Sequence, residues 1–162
     1  PNVPITYTLL EQMKEYLKKY ENTFQINISM HTSDEEKRKQ MMNSYPGLME
    51  FKEIAEWGRE WYLTVGKRKI NLSFVLMEDN EVDLRKIHEL FSLDYFSIRY
   101  ALYLPSTSPT ARLHPASPLQ KMKIKAIEAK ELGYDCIESV AKEIEQIWDT
   151  RPHSGFNMYR KY

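Results

Sequence analysis

Three stretches of the chain alternate between apolar and polar residues, which is the period-two pattern of a β-strand with one apolar and one polar face. The pattern predicts strands over Phe24–His31, Lys69–Met77 and Tyr95–Leu104, and a shorter candidate strand over Tyr134–Val140. In each long strand, small polar side chains share the face opposite the main apolar row. These polar rows consist of Asn27, Ser29 and His31 in the first strand, Asn71 and Ser73 in the second, and Ser97 and Arg99 in the third.

Apolar residues at helical spacing precede and separate these strands. Four of the predicted helices cover Thr6–Tyr20, Leu48–Trp61, Val82–Phe91 and Leu119–Leu132, and Gly133 follows the last of them. A further helix begins after Ser33 or Asp34, which caps it, and ends at Tyr45-Pro46-Gly47. Strands joined through helices run parallel, because each connection has to cross back over the sheet. The sequence therefore predicts an α/β protein in which parallel strands alternate with helices.

Two α/β architectures fit this order, an open doubly wound sheet and part of a (β/α) barrel. Strands of a doubly wound sheet read as continuous apolar runs, whereas the polar rows found here favour strands that face a ligand or water on one side. Small closed barrels use about eight strands, so four strands correspond to half of a partial barrel. The chain begins with Pro1, which indicates either a processed N-terminus or a piece of a longer chain. We expect residues 1–162 to be a single domain, the C-terminal part of a larger barrel, with 141–162 as a C-terminal extension.

The composition and charge of the chain argue against several classes of protein. Lys and Arg number 23 and Asp and Glu also number 23, so the net charge of zero argues against a generally basic nucleic-acid coat. No apolar run approaches the roughly 18 residues that a membrane helix needs. One cysteine among 162 residues excludes an internal disulfide framework, and the N-terminal stretch lacks the pattern of a signal peptide. We therefore expect a cytoplasmic protein that does not insert into a membrane.

The strongest candidate site is the end of the first predicted strand. Ser29 and His31 lie there on the polar row, and in α/β folds the carboxyl ends of the strands build the active site. A hydroxyl and an imidazole at this position could hydrogen-bond a ribose or a carboxylate. The alternative is that both side chains only bond the neighbouring backbone.

Other candidates are weaker. We expect Arg99 to form a structural ion pair with Asp135 or Glu138, because a buried guanidinium needs a partner. Arg112 and His114 lie in the proline-rich loop Pro105–Pro118, where they either bind an anion or belong to a solvated loop.

Cys136 is most simply read as a small buried apolar residue. The basic clusters are expected to be solvated surface rather than an RNA contact, and no histidine pair has the spacing of a zinc site. These clusters are Lys67-Arg68-Lys69, Lys121/Lys123/Lys125 and Arg160-Lys161.

Four segments, taken in order, resemble radical-SAM enzymes of the RNA adenine-C2 methyltransferase type. "SMHTSDEEKRKQMM" resembles the S-L-H segment that ends their fourth barrel strand, together with the helix that follows it. "KRKINLSFVLMEDNEVDLRKIHELF" resembles their fifth strand and helix, and "YFSIRYALYLPSTSP" resembles their sixth strand and its proline-containing loop. "PNVPITYTLLEQMKEYLKKY" is similar to the stretch after their third strand. The resemblance covers nearly the whole chain.

The resemblance implies a partial barrel that binds a [4Fe–4S] cluster and S-adenosylmethionine, and reductive cleavage of this cofactor gives a 5′-deoxyadenosyl radical. In that family three cysteines of a CxxxCxxC loop hold the cluster, and the S-L-H residues contact the cofactor. The corresponding residues of this chain are Ser29, Met30 and His31. No residue is assigned to catalysis, and no metal ligand is assigned within this chain.

Three features of that family are missing here. The chain has no CxxxCxxC motif, and one thiolate cannot replace three, so we expect no radical activity from this segment alone. The C-terminal C-G-Q motif is replaced by SGFNMY, and Leu104 stands where the family has an asparagine before the proline.

The sequence thus predicts the S-adenosylmethionine-binding half of a radical-SAM enzyme, a transferase acting through radical chemistry on RNA or on a small molecule. The expected partner is the missing N-terminal half of the barrel, in cis or in trans, with dimerisation through the open sheet edge as the other way to cover that edge. Two hypotheses stay open beside it. One is an α/β binding or interaction module without catalysis, and the other is a small hydrolase or transferase that uses Ser29 or His31 directly.

Overall fold

The computed structural model describes residues 7–20, 25–42, 46–64, 68–103 and 119–139. The elements of this part of the chain are α1 (Tyr7–Lys19), β1 (Asn27–Ser29), α2 (Glu35–Met41), α3 (Phe51–Thr64), β2 (Ile70–Leu76), α4 (Leu84–Leu90), β3 (Phe96–Leu102), α5 (Leu119–Glu131) and β4 (Cys136–Ser139). The proline-rich loop with Arg112 and His114, the position Leu104 and the extension 141–162 lie outside the described residues.

The four described strands form one sheet in the order β1-β2-β3-β4, and every neighbouring pair is parallel. This confirms the predicted α/β class, with parallel strands alternating with helices as in half of a partial β/α barrel. The first strand ends at Ser29, before its predicted end at His31, because His31 adopts a left-handed backbone conformation with φ of 63°. Extended pairing cannot continue through that conformation.

Sequence signals explain where the helices begin and end. The Asp34 side chain accepts from the amide of Lys37 at 2.9 Å and caps α2, and the Asp83 side chain caps α4 in the same way. After α5 the chain turns at Gly133, whose φ of 92° is readily adopted only by glycine. The capping residues predicted from sequence at Asp34 and Gly133 are thereby confirmed.

The helices α3, α4 and α5 supply one face of the sheet with its hydrophobic core. Ile28, Leu72 and Ile98, which are neighbours in the strand register, are fully buried in it. Gly58 of α3 lies so close to the sheet that a Cβ there would fall 2.2 Å from the Phe96 ring, so only glycine fits. Helix packing on this face leaves the opposite face to the polar rows.

The polar rows lie on that opposite face, as their register requires. Asn27, Asn71 and Ser97 stand side by side on three strands. The Asn71 amide donates to the Asn27 side-chain oxygen at 2.8 Å, and the Ser97 hydroxyl donates to the Asn71 side-chain oxygen. Two hydrogen bonds therefore link the three side chains of this lower row. The next row towards the carboxyl ends of the strands contains Ser29, Ser73 and Arg99.

Within the described residues, no helix has the length and apolar character needed to cross a membrane.

Candidate functional site

Ser29, Met30 and His31, which are predicted to contact a cofactor, lie at the carboxyl end of β1. Their side chains differ in how far they are exposed. Ser29 is partly exposed, and its hydroxyl makes no hydrogen bond to another described residue. Met30 is fully buried, and its side chain belongs to the hydrophobic core on the helix side. His31 is 8% exposed. A ligand at this strand end would therefore meet the Ser29 hydroxyl first, because the side chains of Met30 and His31 are both buried.

His31 carries two unusual features. Its backbone is left-handed, with φ of 63°, a conformation that histidine adopts more readily than most residues but that still stores strain. Burial, reinforced by the positive charge of Arg38, lowers the pKa of its imidazole to about 4. The imidazole is therefore neutral at pH 7, so that one ring nitrogen can accept a hydrogen bond and the other can donate one.

Asn80 holds the His31 backbone in place. Its side-chain amide donates to the His31 carbonyl at 2.6 Å and to the Val75 carbonyl at 2.8 Å, while its side-chain oxygen accepts from the Met77 amide at 2.8 Å. Asn80 is 8% exposed, so these hydrogen bonds are shielded from water. One side chain thus ties the end of β1 to the end of β2.

Further hydrogen bonds join the same two loops. The Thr32 hydroxyl donates to the Glu81 carbonyl at 2.9 Å, and the Asp83 amide donates to the Ser33 hydroxyl at 2.9 Å. Thr32 and Ser33 are both buried. The turn after β1 and the loop after β2 therefore form one connected scaffold behind the strand ends.

Lys121, at the start of α5, fixes the other side of this scaffold. Its ammonium group donates to the carbonyls of Met77, Glu78 and Asn80, the latter two at 3.2 and 3.1 Å. Burial lowers its pKa. This lysine, predicted to be part of a solvated basic cluster, is instead a clamp on the loop that carries Asn80.

Arg38 of α2 supports β1 from behind. It is 1% exposed, and its guanidinium donates to the Ser29 carbonyl at 3.2 Å and to the Met49 carbonyl at 2.7 Å. The guanidinium also lies 5.6 Å from the centre of the Phe51 ring. Burial lowers the pKa of Arg38 to about 10. A charged group thus fixes the backbone of the strand end from which Ser29 projects.

Arg99 does not form the predicted ion pair, and that prediction is wrong. Arg99 lies beside Ile137 in the register, so Glu138 points to the other face of the sheet, where it accepts from Lys130 of α5 at 3.3 Å. Asp135 instead accepts from Lys69 at 2.7 Å. Among the described residues, the Arg99 guanidinium donates to two hydroxyl groups, to Ser139 at 3.1 Å and to Ser73 at 3.5 Å.

Cys136 lies on β4 and is partly buried against the core, where burial raises its pKa to about 11. It is therefore a thiol at neutral pH, in keeping with its interpretation as an apolar residue. In the part of the chain that the structure describes, no group of three or more His, Cys, Asp or Glu residues is arranged to hold a metal ion.

Sequence reasoning missed Asn80, Arg38 and Lys121 as organisers of the site. In the sequence, Asp79-Asn80 follows the second predicted strand and indicates only a turn. A signal for Arg38 did exist, because it lies on the segment that resembles the helix after S-L-H. Lys121 had none, since its partners are backbone carbonyls more than forty positions away.

The sequence matches no protein-family model and no curated protein. Among solved structures, the fold is similar to the crystal structure of a radical SAM methyltransferase from Sphaerobacter thermophilus, with a TM-score of 0.59 and 10% sequence identity. The match covers 79% of this chain and 38% of that chain, so this chain spans well under half the length of that protein. The structure therefore has a radical-SAM-like α/β fold.

Proposed function

We propose that this chain is the S-adenosylmethionine-binding half of a radical-SAM enzyme, and that Ser29 and His31 are its contacts to the cofactor. The observation that carries the proposal is the placement of the Ser29 hydroxyl and the neutral His31 imidazole at the carboxyl end of β1, within a radical-SAM-like fold. Carboxyl ends of parallel strands are where α/β enzymes bind their ligands.

The chemistry of these groups suits S-adenosylmethionine. The ribose hydroxyls of the cofactor both donate and accept hydrogen bonds. A serine hydroxyl and a neutral imidazole can do the same, so each can pair with a ribose hydroxyl. Met30 contributes only its backbone, since its side chain is enclosed in the core. The buried contacts of Arg38 and Asn80 hold the strand end before any ligand arrives, which lowers the cost of ordering the site on binding.

The residues of this chain do not fit a [4Fe–4S] cluster, because the chain has one cysteine and such clusters take about three or four thiolates. The proposal therefore assigns the cluster to a partner, the N-terminal half of the barrel, in cis or in trans. Such a half would complete the sheet at an edge formed by β1 or β4. Radical methyl transfer, an RNA substrate, dimerisation through an open edge and a cytoplasmic location stay predictions.

The experiment measures the affinity of the 162-residue chain for S-adenosylmethionine. We expect weak, millimolar binding, since the cluster iron that holds the methionine end of the cofactor in this family is absent. Replacing both side chains, Ser29→Ala with His31→Ala, should weaken binding about tenfold to a hundredfold, because each neutral hydrogen bond contributes roughly 0.5–1.5 kcal/mol.

A matched control replaces a serine and a histidine at the opposite end of the sheet. Ser92 and His88 are both exposed, and Ser92 lies just before β3 begins. Ser92→Ala with His88→Ala should leave the affinity unchanged. Equal affinity of the wild-type chain and the Ser29/His31 variant would overturn the proposal and leave the two side chains with a structural role.

A further inference from the structure

We infer that Ser29, Ser73 and Arg99 form a binding site for an oxyanion, a carboxylate or a phosphate group, on the face of the sheet turned away from the helices. The inference goes beyond the proposed function, because it requires neither a cluster nor S-adenosylmethionine. It rests on a partly buried positive charge whose partners among the described residues are two hydroxyl groups.

In the part of the chain that the structure describes, Arg99 forms no ion pair with a carboxylate, and its partners are hydroxyl groups. The guanidinium is partly buried, and burial lowers its pKa. Taking a cation out of water is costly unless an anion or a full set of acceptors replaces the water. Two serine hydroxyls, at 3.1 and 3.5 Å, occupy only part of the five donors of a guanidinium.

The neighbouring acidic residues are committed elsewhere. Strand alternation turns the Glu138 carboxylate to the helix side, where Lys130 binds it, and Lys69 binds Asp135. The arrangement therefore keeps both of these carboxylates away from Arg99, and the guanidinium donors beyond those that bond Ser139 and Ser73 have no partner among the described residues. A guanidinium fork matches the two oxygens of a carboxylate or phosphate in a bidentate pair.

The other donors stand beside it in register. Ser29 pairs with Ser73, and Ser73 pairs with Arg99, so the three side chains lie on three adjacent strands about 4.8 Å apart. In the row below, hydrogen bonds link the side chains of Asn27, Asn71 and Ser97 to one another, whereas the Ser29 hydroxyl has no hydrogen-bond partner among the described residues. Two hydroxyl groups and one cation thus lie in one row across three strands, on the same face of the sheet.

The test titrates the full chain with inorganic phosphate and, separately, with acetate, and follows the side-chain Nε–H resonance of Arg99 by NMR. We expect a saturable shift of this resonance and an affinity at least about tenfold weaker in Arg99→Gln, because a charge-assisted hydrogen-bond pair is lost. Arg99→Lys should show an intermediate loss, since it keeps the charge without the fork. The exposed Arg85 provides the control, and Arg85→Gln should bind like the wild type.

The two anions distinguish the ligand source, because tighter binding of phosphate indicates a phosphate-bearing ligand and tighter binding of acetate indicates a carboxylate. No saturable shift with either anion, or unchanged affinity in Arg99→Gln, would overturn the inference. If Arg99→Gln does not fold, the wild-type resonance and Arg99→Lys still decide the question. Anion binding without any S-adenosylmethionine binding would contradict the proposed function and leave the oxyanion site standing.

Discussion

The side-chain amide of Asn80 donates a hydrogen bond to the backbone carbonyl of His31 across 2.6 Å. The contact joins two loops that lie 49 positions apart in the sequence, and it acts on the one described non-glycine residue with a positive φ. Backbone strain of this kind persists only where the surroundings hold it. Asn80 is therefore a positioning residue for the strand end that carries the candidate site.

Replacing Asn80 should release that strand end. Asn80→Ala removes hydrogen bonds to the His31, Val75 and Met77 backbones, which we expect to lower the free energy of unfolding by about 2–4 kcal/mol. Urea unfolding measures this change, and amide hydrogen exchange should become faster at His31 and Thr32. Asn27→Ala, which removes one half-exposed hydrogen bond, should cost about 1 kcal/mol or less. Equal losses in both variants would contradict the special role of Asn80.

Arg38 should be necessary for the stability of β1. Arg38→Ala removes donors to the carbonyls of Ser29 and Met49 and leaves a cavity beside Phe51, so we expect a loss of about 3–5 kcal/mol. Arg85→Ala, on an exposed face of α4, should stay within about 0.5 kcal/mol of the wild type. Thermal or urea unfolding of the two variants makes the comparison. If Arg38→Ala lowered the free energy of unfolding by less than about 1 kcal/mol, the buried guanidinium would not be needed to stabilise β1.

Stability should depend on pH through His31. Burial and the Arg38 charge lower the pKa of its imidazole from 6.5 to about 4, so between these values the unfolded chain binds a proton that the folded chain does not. We therefore expect this contribution to be fully present above about pH 6.5 and to fall as the pH drops towards 4, by at most about 3 kcal/mol. Unfolding curves at a series of pH values measure the slope.

The variant His31→Asn isolates this contribution, because asparagine tolerates a left-handed backbone and does not titrate. Its unfolding free energy should vary less between pH 6.5 and 4 than that of the wild type. If the unfolding free energies of the two proteins changed with pH to the same extent, the pKa of the His31 imidazole would not be lowered in the folded protein.

Two buried tyrosines should respond in opposite ways to loss of the hydroxyl. The Tyr100 hydroxyl is buried and has no hydrogen-bond partner among the described residues, whereas the Tyr134 hydroxyl donates to the Phe91 carbonyl. Tyr100→Phe should therefore leave stability unchanged or raise it by up to about 1 kcal/mol, while Tyr134→Phe should lower it by about 1–2 kcal/mol. Urea unfolding of both variants tests the pair, and a marked loss in Tyr100→Phe would reveal a partner for its hydroxyl.

The period of the apolar residues was sufficient to predict the sheet and its helices, because burial on one face of each strand and helix imposes that period directly. The same pattern placed Asn27, Ser29, Asn71, Ser73 and Arg99 on one face of the sheet. The partner of Arg99 was mispredicted because the strand register decides which residues of β4 face it, and Ile137 rather than Glu138 lies beside it. The roles of Asn80 and Lys121 could not be predicted, since both bind backbone carbonyls, which every sequence possesses.

The most direct test of the central claim maps where S-adenosylmethionine touches the chain. The wild-type protein is titrated with the cofactor, and two-dimensional amide NMR records which backbone resonances move. We predict that the shifts concentrate at Ser29, Met30, His31 and the neighbouring Ser73, and that they disappear in Ser29→Ala with His31→Ala while persisting in the Ser92/His88 control. Shifts confined to other parts of the chain, or the same shifts in the Ser29/His31 variant, would contradict the claim that this strand end binds the cofactor.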